Sequence, residues 1–204
     1  MDFSPQDTAF MHQALGLAHD ALFLTSPNPR VGCVIVSADG VVLGSGHTQR
    51  AGEAHAEVMA LRDAHANHHN VQGATAYVTL EPCVHQSPRG PTCSESLIAA
   101  GLARVVIALT DPDPRTHGAG SARLQAAGLH VETGLEAAAA RRAMAGWLMQ
   151  QQHGRELEKL ADTFERAVNR FEQTAQRTEQ FLRRREACQQ ALDEIEPVLT
   201  PENF

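Results

Sequence analysis

Two hydrophobic periodicities alternate along the first 150 residues of the chain. Between residues 8 and 24 the apolar positions recur every three or four residues, which predicts an amphipathic helix capped by Ser4 or Asp7. Two β-branched runs follow, at 31–36 and 41–43, and an Asp-Gly pair lies between them. That arrangement predicts a β-hairpin, because Asp-Gly favours the tight turns that join antiparallel strands.

Helical and strand patterns then take turns up to about residue 150. Helices are predicted over 55–66, 93–100, 121–127 and 137–149, and strands over 76–80, 104–109 and 129–131. The connections are long enough for crossover units. We therefore expect an α/β fold, a three-layer sandwich built around a mixed sheet.

The pattern changes after residue 152. Residues 155–196 contain neither Gly nor Pro, and apolar residues recur there mostly three or four apart, from Leu157 to Ile195. This predicts an amphipathic helix or a helical hairpin. The apolar positions are interrupted near Thr178 and Arg185, which argues against a long regular coiled coil. We expect a domain at 1–152 and a C-terminal helical extension at 153–204.

Composition restricts the class of protein. The chain has 204 residues, of which 43% are apolar, and a formal net charge of −7. It can bury a substantial core, and its acidity argues against wrapping nucleic acid, although a small anionic substrate remains compatible. The sequence lacks an apolar run of about 18 residues and a signal-peptide pattern, so we expect a cytoplasmic protein without a membrane span.

Three short segments carry the candidate chemistry. His55 and Glu57 lie at a predicted helix start, Cys83 follows a strand after Glu81 and Pro82, and Cys93 begins another helix. One histidine and two cysteines supply three zinc ligands and leave the fourth tetrahedral position open for water, as in catalytic zinc sites. In a reducing compartment the cysteines are expected to be ligands or core thiols rather than disulfides.

Glu57 lies two residues beyond His55, where it can sit beside a metal ion without binding it. There it could take a proton from water and return it to a ring nitrogen and a leaving amine. His-x-Glu followed by Pro-Cys is the pattern of zinc deaminases, although the two cysteines are further apart here. We interpret Cys33 as a core thiol, Cys188 as incidental and the 68–69 histidine pair as a solvated loop.

Four stretches of the chain resemble the deaminase domain of the bifunctional riboflavin-biosynthesis enzymes. They are 28–32, 51–58, 77–85 and 111–114, within a resemblance that covers roughly residues 8–150. That family deaminates diaminohydroxyphosphoribosylaminopyrimidine, a ring with a ribose phosphate arm. The resemblance implies a cytidine deaminase-like fold and a zinc-dependent hydrolase. It also implies zinc on His55, Cys83 and Cys93, with Glu57 as the proton shuttle.

The resemblance further implies substrate contacts. Asn28 would hydrogen-bond the ring, the backbone at Ala56 would help to hold the base, and either His47 or Thr48 would lie near the ring. The segment between the two cysteines would contact the substrate and its phosphate arm. In that segment the candidates are His85 and Arg89. For Arg89 the alternative is a solvated loop charge, although its forked donors suit a phosphate.

Three departures from the family stand out. Nine residues separate Cys83 from Cys93 where the family usually has eight, and Asp113 stands where the family usually has Asn. A carboxylate cannot donate the hydrogen bonds that an amide donates. The family enzyme also continues into an NADPH-dependent reductase domain, whereas a helical tail follows here. We therefore expect any reduction to come from a separate protein.

Alternative functions remain open at this point. A zinc deaminase could act on another nucleotide, a nucleobase or a tRNA base, although tRNA-type enzymes usually show a tight Cys-x-x-Cys and a basic face. A third possibility is an inactive deaminase fold that recruits a partner through its tail. The tail itself is expected to pack on its own domain or to pair in a homo-oligomer, and the alternative is a docking helix for a separate reductase.

Overall fold

The computed structural model describes residues 3–85 and 90–195, without the side chains of residue 155 and residues 191–195. The chain divides into two compact units, Met1–Gln152 and His153–Phe204. We describe each unit by itself.

The first unit contains a five-stranded mixed sheet. Its strands are β1 (Gly32–Val36), β2 (Val42–His47), β3 (Thr75–Val78), β4 (Arg104–Ile107) and β5 (His130–Thr133), in the spatial order β2-β1-β3-β4-β5. Strand β1 is antiparallel to both β2 and β3, and β3, β4 and β5 run parallel. The predicted hairpin and the mixed sheet are confirmed.

Helices cover both faces of this sheet. They are α1 (Pro5–Asp20), α2 (Ala56–Ala66), α3 (Cys93–Ala99), α4 (Ala119–Ala126), α5 (Ala137–Ala143) and α6, which begins at Ala145. Helices α1 and α5 pack together on one face, whereas α2, α3 and α4 pack in sequence on the other. The buried side chains of β1, β3 and β4 fill the layers between them. The predicted three-layer sandwich is therefore confirmed.

Glycines let α1 and α2 approach the sheet closely. A Cβ on Gly44 would lie 2.3 Å from the carbonyl oxygen of Ala60, and one on Gly32 would lie 1.9 Å from that of Ala14. The sequence pattern predicts strand β2 only over 41–43. The strand continues to His47, since helix α2 needs glycine rather than a side chain at that contact.

Other boundaries also differ from the prediction. Helix α1 ends at Asp20 rather than near residue 24, and Phe23 adopts a left-handed conformation with φ of 65°. The predicted helix 137–149 is two helices, since α5 ends at Ala143 and α6 begins at Ala145. Local alanine-rich sequence carries no signal for this break.

The second unit is helical in the part of the chain that the structure describes. Helix α6 runs from Ala145 to Ile195, so the predicted amphipathic helix is present as one helix and the hairpin alternative is wrong. Across residues 3–85 and 90–195, every helix is too short or too polar to span a membrane.

Candidate metal centre and active site

His55 stands directly before helix α2, as its N-cap residue. Its backbone is extended, with φ of −80° and ψ of 167°, and the residue has no capping hydrogen bond from its side chain. The imidazole therefore does not cap the helix. The strand-to-helix turn instead turns the ring towards the two cysteines.

The cysteines come from two further segments of the same face. Cys83 lies in the loop after β3, and Cys93 is the first residue of α3. The start of α3 is fixed by a capping box, in which the Thr92 hydroxyl accepts from the Glu95 N–H and the Glu95 carboxylate accepts from the Thr92 N–H. The backbone N–H of Cys93 also donates to the Cys83 sulfur at 3.5 Å.

These three side chains converge on one point. The Nδ1 atom of His55 lies 3.3 Å from Sγ of Cys93 and 3.7 Å from Sγ of Cys83. All three candidate ligand atoms lie within 4.8 Å of one another. Tetrahedral zinc, with bonds of ~2.1 Å to nitrogen and ~2.3 Å to sulfur, would separate such atoms by about 3.6 Å. The residues fit zinc in number, chemistry and spacing.

The pKa values of the two thiols are shifted in opposite directions. Hydrogen bonds from the Cys93 thiol, from His55 and from the Cys93 N–H outweigh burial and lower the pKa of Cys83 to about 4. The hydrogen bond to that thiolate, with burial, raises the pKa of Cys93 well above its ordinary value. One thiolate is thus already stabilised, and zinc binding would release the proton of the other.

Glu57 lies in the first turn of α2, two residues after His55. Its exposed fraction is 3%. Burial, and then the negative charge of Cys83, raise the pKa of its carboxyl above the ordinary value. A carboxyl whose pKa is raised accepts a proton more readily than an exposed one, which suits a proton carrier.

Two cavities border the metal ligands. The larger, of about 540 Å³, touches His55, Cys83 and Cys93 but not Glu57. The smaller, of about 300 Å³, is lined by His55, Cys83 and Glu57 together. The smaller cavity is therefore the candidate reaction cavity, because it reaches Glu57 as well as two of the candidate ligands.

The structure brings several of the predicted substrate residues to this smaller cavity. Asn28, Thr48 and His85 line it, whereas His47 is not among its lining residues. The Thr48 hydroxyl is engaged with the backbone of Val31, accepting from N at 3.3 Å and donating to O at 3.5 Å. The Nδ1 atom of His85 is buried and lacks a hydrogen-bond partner among the described residues.

Two other predicted contacts are placed differently. Ala56 is fully buried between His55 and Glu57 at the start of α2, and it does not line the cavity. Arg89 lies outside the described residues.

Glu81 is a residue for which sequence reasoning gave no role. It is buried, and its carboxylate accepts from the N–H groups of Asp111 at 3.2 Å and Gly118 at 2.9 Å. It also accepts from the N–H and hydroxyl of Ser121, at 2.9 and 3.0 Å. The signal was its position directly after a strand and before a long loop. Glu81 thereby ties the Cys83 segment to the start of α4.

A second group that sequence reasoning missed also lines the smaller cavity. Asp111 and Arg115 follow strand β4 and flank Asp113. Arg115 donates to both Asp113 oxygens, through Nε at 3.0 and 2.9 Å and through Nη2 at 2.5 Å. This ion pair lowers the pKa of Asp113 and raises that of Arg115. Burial raises the pKa of Asp111 to about 6.

Comparison with known families agrees with this geometry. The family described as the cytidine and deoxycytidylate deaminase zinc-binding region matches residues 4–109. That match covers the three candidate ligands and Glu57.

Individual relatives extend the similarity over the first unit. The riboflavin biosynthesis protein RibD of Escherichia coli K12 is 51% identical over 149 residues, which are 73% of this chain and 39% of that protein. The diaminohydroxyphosphoribosylamino-pyrimidine deaminase of Buchnera aphidicola is 44% identical over 63% of this chain and 84% of its own length.

Solved structures agree as well. Acinetobacter baumannii RibD, form 1, superimposes with a TM-score of 0.65 and 47% identity, over 70% of this chain and 39% of that one. The chain thus spans about two fifths of the RibD proteins it matches. With the ligand geometry, these similarities show that the chain belongs to the cytidine and deoxycytidylate deaminase zinc-binding family.

Proposed function

We propose that this chain hydrolytically deaminates diaminohydroxyphosphoribosylaminopyrimidine, an intermediate of riboflavin biosynthesis. The observation that carries the proposal is the convergence of His55, Cys83 and Cys93 near the buried Glu57. Two of these ligands, His55 and Cys83, line a cavity of about 300 Å³ together with Glu57. The name of the Buchnera relative states this activity, and that of the Escherichia coli relative states the pathway.

The protein's own residues divide the chemistry between them. His55, Cys83 and Cys93 would hold zinc, which would supply Lewis-acid activation of the attacking water. Glu57 accepts the proton of the attacking water on a carboxylate oxygen. The same carboxyl donates that proton to the ring nitrogen as the C–O bond forms. It then takes the proton of the added hydroxyl and passes it to the amino group, which leaves as ammonia when the C–N bond breaks. Its burial keeps bulk water from competing for this proton.

The cavity residues hold the ring against this centre. Asn28 supplies an amide with both a donor and an acceptor, which suits the alternating polar edge of an aminopyrimidine. The backbone of Asn28 is fixed, because its N–H donates to the Thr25 carbonyl at 2.8 Å and its carbonyl accepts from the Thr25 hydroxyl at 3.1 Å. The buried Nδ1 atom of His85 offers the ring a further hydrogen bond.

The anionic arm of the substrate is assigned to Arg115. Its Nε and Nη2 atoms hold Asp113, and Nη1 carries two more donors. The ion pair fixes the guanidinium at the cavity and offsets the negative charge of Asp113. This compensation explains how a carboxylate can stand where the riboflavin deaminases usually have an amide.

The test is ammonia release by the zinc-loaded full chain. With the diaminopyrimidine ribotide as substrate, we expect one ammonia per substrate consumed and one zinc per chain. dCMP and cytidine serve as matched comparison substrates, because they keep an aminopyrimidine and differ in the ring substituents. Faster turnover of dCMP would assign the chain to another nucleotide. Failure to turn over all three compounds with zinc bound would favour the scaffold hypothesis.

A further inference from the structure

The second unit exposes a row of large apolar side chains along helix α6. Their exposed fractions lie between 37% and 75%, which is far above those of the core residues. These residues, which we call the apolar stripe, are Leu157, Leu160, Phe164, Val168, Phe171, Phe181 and Leu182. A row of exposed large apolar side chains along one helix marks an interaction surface.

Five of the seven residues of the apolar stripe follow the a and d positions of a seven-residue repeat, and Val168 and Leu182 lie beside them at position e. With Leu157 at position a, the a positions at 164 and 171 are Phe, and the d positions at 160 and 181 are Leu and Phe. The remaining positions from 157 to 182 that face the same side are small: Ala167 and Thr174 at d, and Thr178 at a. A 3.5-residue spacing keeps one seam of a helix turned towards a second helix.

The threonines in this seam have no unsatisfied donor. The Thr174 hydroxyl donates to the Arg170 carbonyl at 2.9 Å, and the Thr178 hydroxyl donates to the Thr174 carbonyl at 3.0 Å. Their methyl groups are therefore free to pack, and burying them between helices would leave no side-chain hydrogen bond unmade. The interruption that the sequence shows at Thr178 is compatible with a dry seam.

The two edges of the apolar stripe carry opposite charges. Position b is glutamate in every repeat. Positions g and c, on the other edge, carry five of the seven basic residues from Lys159 to Arg185, while Arg183 lies at f and Arg185 at a. The acidic edge consists of Glu158, Glu165, Glu172, Glu179 and Glu186. The basic edge consists of Lys159, Arg166, Arg170, Arg177 and Arg184.

We infer that residues 157–182 of α6 pair with the same residues of a second copy of this chain, parallel and in register. When two identical helices run in the same direction, the g edge of each faces the e and b edge of the other. The basic edge then meets the acidic edge on both sides of the seam. An antiparallel pair would place like edges together, which is unfavourable.

Side-chain size agrees with this pairing. In a parallel pair, the Phe171 side chain enters a hole formed by Ala167, Arg170, Phe171 and Thr174 of the second copy. The small Ala167 and Thr174 leave room for the ring. The aliphatic stem of Arg170 covers its edge, with the charge in solvent.

The first experiment measures the mass of the full chain in solution by light scattering after size exclusion. We expect twice the chain mass of 22.0 kDa. Phe171→Glu places a charge in the seam and should raise the dissociation constant by about 100-fold or more. Gln176→Glu adds the same charge at position f, away from the seam, and should leave the dimer intact. A monomeric native chain, or a dimer indifferent to Phe171→Glu, would overturn the inference.

The second experiment fixes the direction. In a Cys188→Ser background, Leu157→Cys and Thr178→Cys are made singly and oxidised mildly, with Gln176→Cys as the outward control. A parallel, in-register pair links each of the first two variants to its own copy, and the control stays unlinked. In an antiparallel pair, only one position can lie on the two-fold axis, so these two, about 31 Å apart, could not both link. Failure of either Leu157→Cys or Thr178→Cys to form a disulfide between copies would refute the parallel pairing.

The helix pair and the deaminase chemistry are tested separately. Ammonia release by the zinc-loaded Phe171→Glu chain reports on the active site, and its mass reports on the tail. Far-ultraviolet circular dichroism of the same variant shows whether helix α6 still forms.

Discussion

The two sides of the reaction cavity are held in place by different kinds of interaction. On the metal side, Glu57 and Cys93 are each only 3% exposed, and they sit at the starts of packed helices. On the side formed by the loop after β4, the Arg115 side chain is 69% exposed and is held by its ion pair with Asp113. Buried groups with fixed partners respond to substitution far more strongly than solvated ion pairs.

This difference suggests a division of function. In the proposed function the metal side performs the chemistry, which requires fixed distances and low water access. The proposed role of the Arg115 side is to bind the anionic arm of the substrate, where water screens each contact. Glu81 joins the two sides, since it follows the strand that leads to Cys83 and accepts hydrogen bonds from the start of α4. We therefore expect substitutions on the metal side to have larger effects than substitutions on the Arg115 side.

The largest effect is expected from Cys93→Ala. Removing one thiolate leaves two ligands, which is too few for a stable zinc site, and metal binding is coupled to folding. We expect loss of zinc by mass spectrometry under native conditions, no detectable ammonia release and a lower Tm. Cys188→Ser, which removes an exposed thiol of α6, is the matched control and should keep all three properties. A fully zinc-loaded Cys93→Ala chain would contradict the ligand assignment.

Glu57→Gln should come next. The amide keeps the volume of the carboxyl but cannot carry a proton between water and the ring. We expect kcat to fall by about 10²- to 10⁴-fold, the usual contribution of general acid–base catalysis. Zinc content and KM should stay close to those of the native chain, which separates this variant from Cys93→Ala. Normal turnover would remove Glu57 from the mechanism and leave the metal side without a proton carrier.

Arg115→Ala tests the other side of the cavity. Loss of the guanidinium leaves Asp113 uncompensated beside the anionic arm, so KM should rise by about tenfold, or about 1.4 kcal/mol, with kcat nearly unchanged. Arg115→Lys should recover part of the effect, because it restores the charge without the fork. Arg142→Ala, an exposed arginine at the end of α5, is the control. An unchanged KM for Arg115→Ala would assign the arm to another residue.

The metal side was also the more predictable of the two. Up to 38 positions separate the four residues of the metal side, which are His55, Glu57, Cys83 and Cys93. The sequence nevertheless predicts where each one lies, because each is at a predicted helix start or after a predicted strand. Metal chemistry then allows few partners for such residue types. The helices and strands could also be predicted, because burial of one face produces a periodic pattern of apolar residues in the sequence.

Some strand boundaries and the residues of the Arg115 side could not be predicted, because they depend on tertiary contacts that the local sequence does not show. Strand β2 extends through Gly44 and Gly46 because helix α2 packs there, a fact that only the folded sheet contains. The pairing of Arg115 with Asp113 could be suspected from their spacing of two, but their place on the cavity wall depends on how the loop after β4 folds. The placement of Thr48 in the cavity wall, with His47 absent from it, likewise depends on the end of β2.

The smallest expected effect concerns Asp111. It extends the comparison of the two sides to the pH dependence of stability. Burial raises the pKa of Asp111 to about 6, and the charges of Asp113 and Glu81 add to this, although the Asp113 N–H opposes it. The folded chain therefore holds a proton at this carboxyl that the unfolded chain releases between about pH 4 and 6. The resulting stability is complete below the ordinary pKa of 3.8 and is lost as the pH rises through about 6.

Asp111→Asn removes this titration while keeping an oxygen that can accept from the Asp113 N–H, a bond of 2.8 Å in the native chain. Urea unfolding at pH 5 and pH 7.5 should then show a smaller fall in the free energy of unfolding for the variant than for the native chain. The difference between the two proteins isolates Asp111, because every other titrating group is common to both. Equal pH dependence would mean that Asp111 ionises in the folded protein as it does in water, and that the Arg115 side is more open than its buried carboxyl indicates.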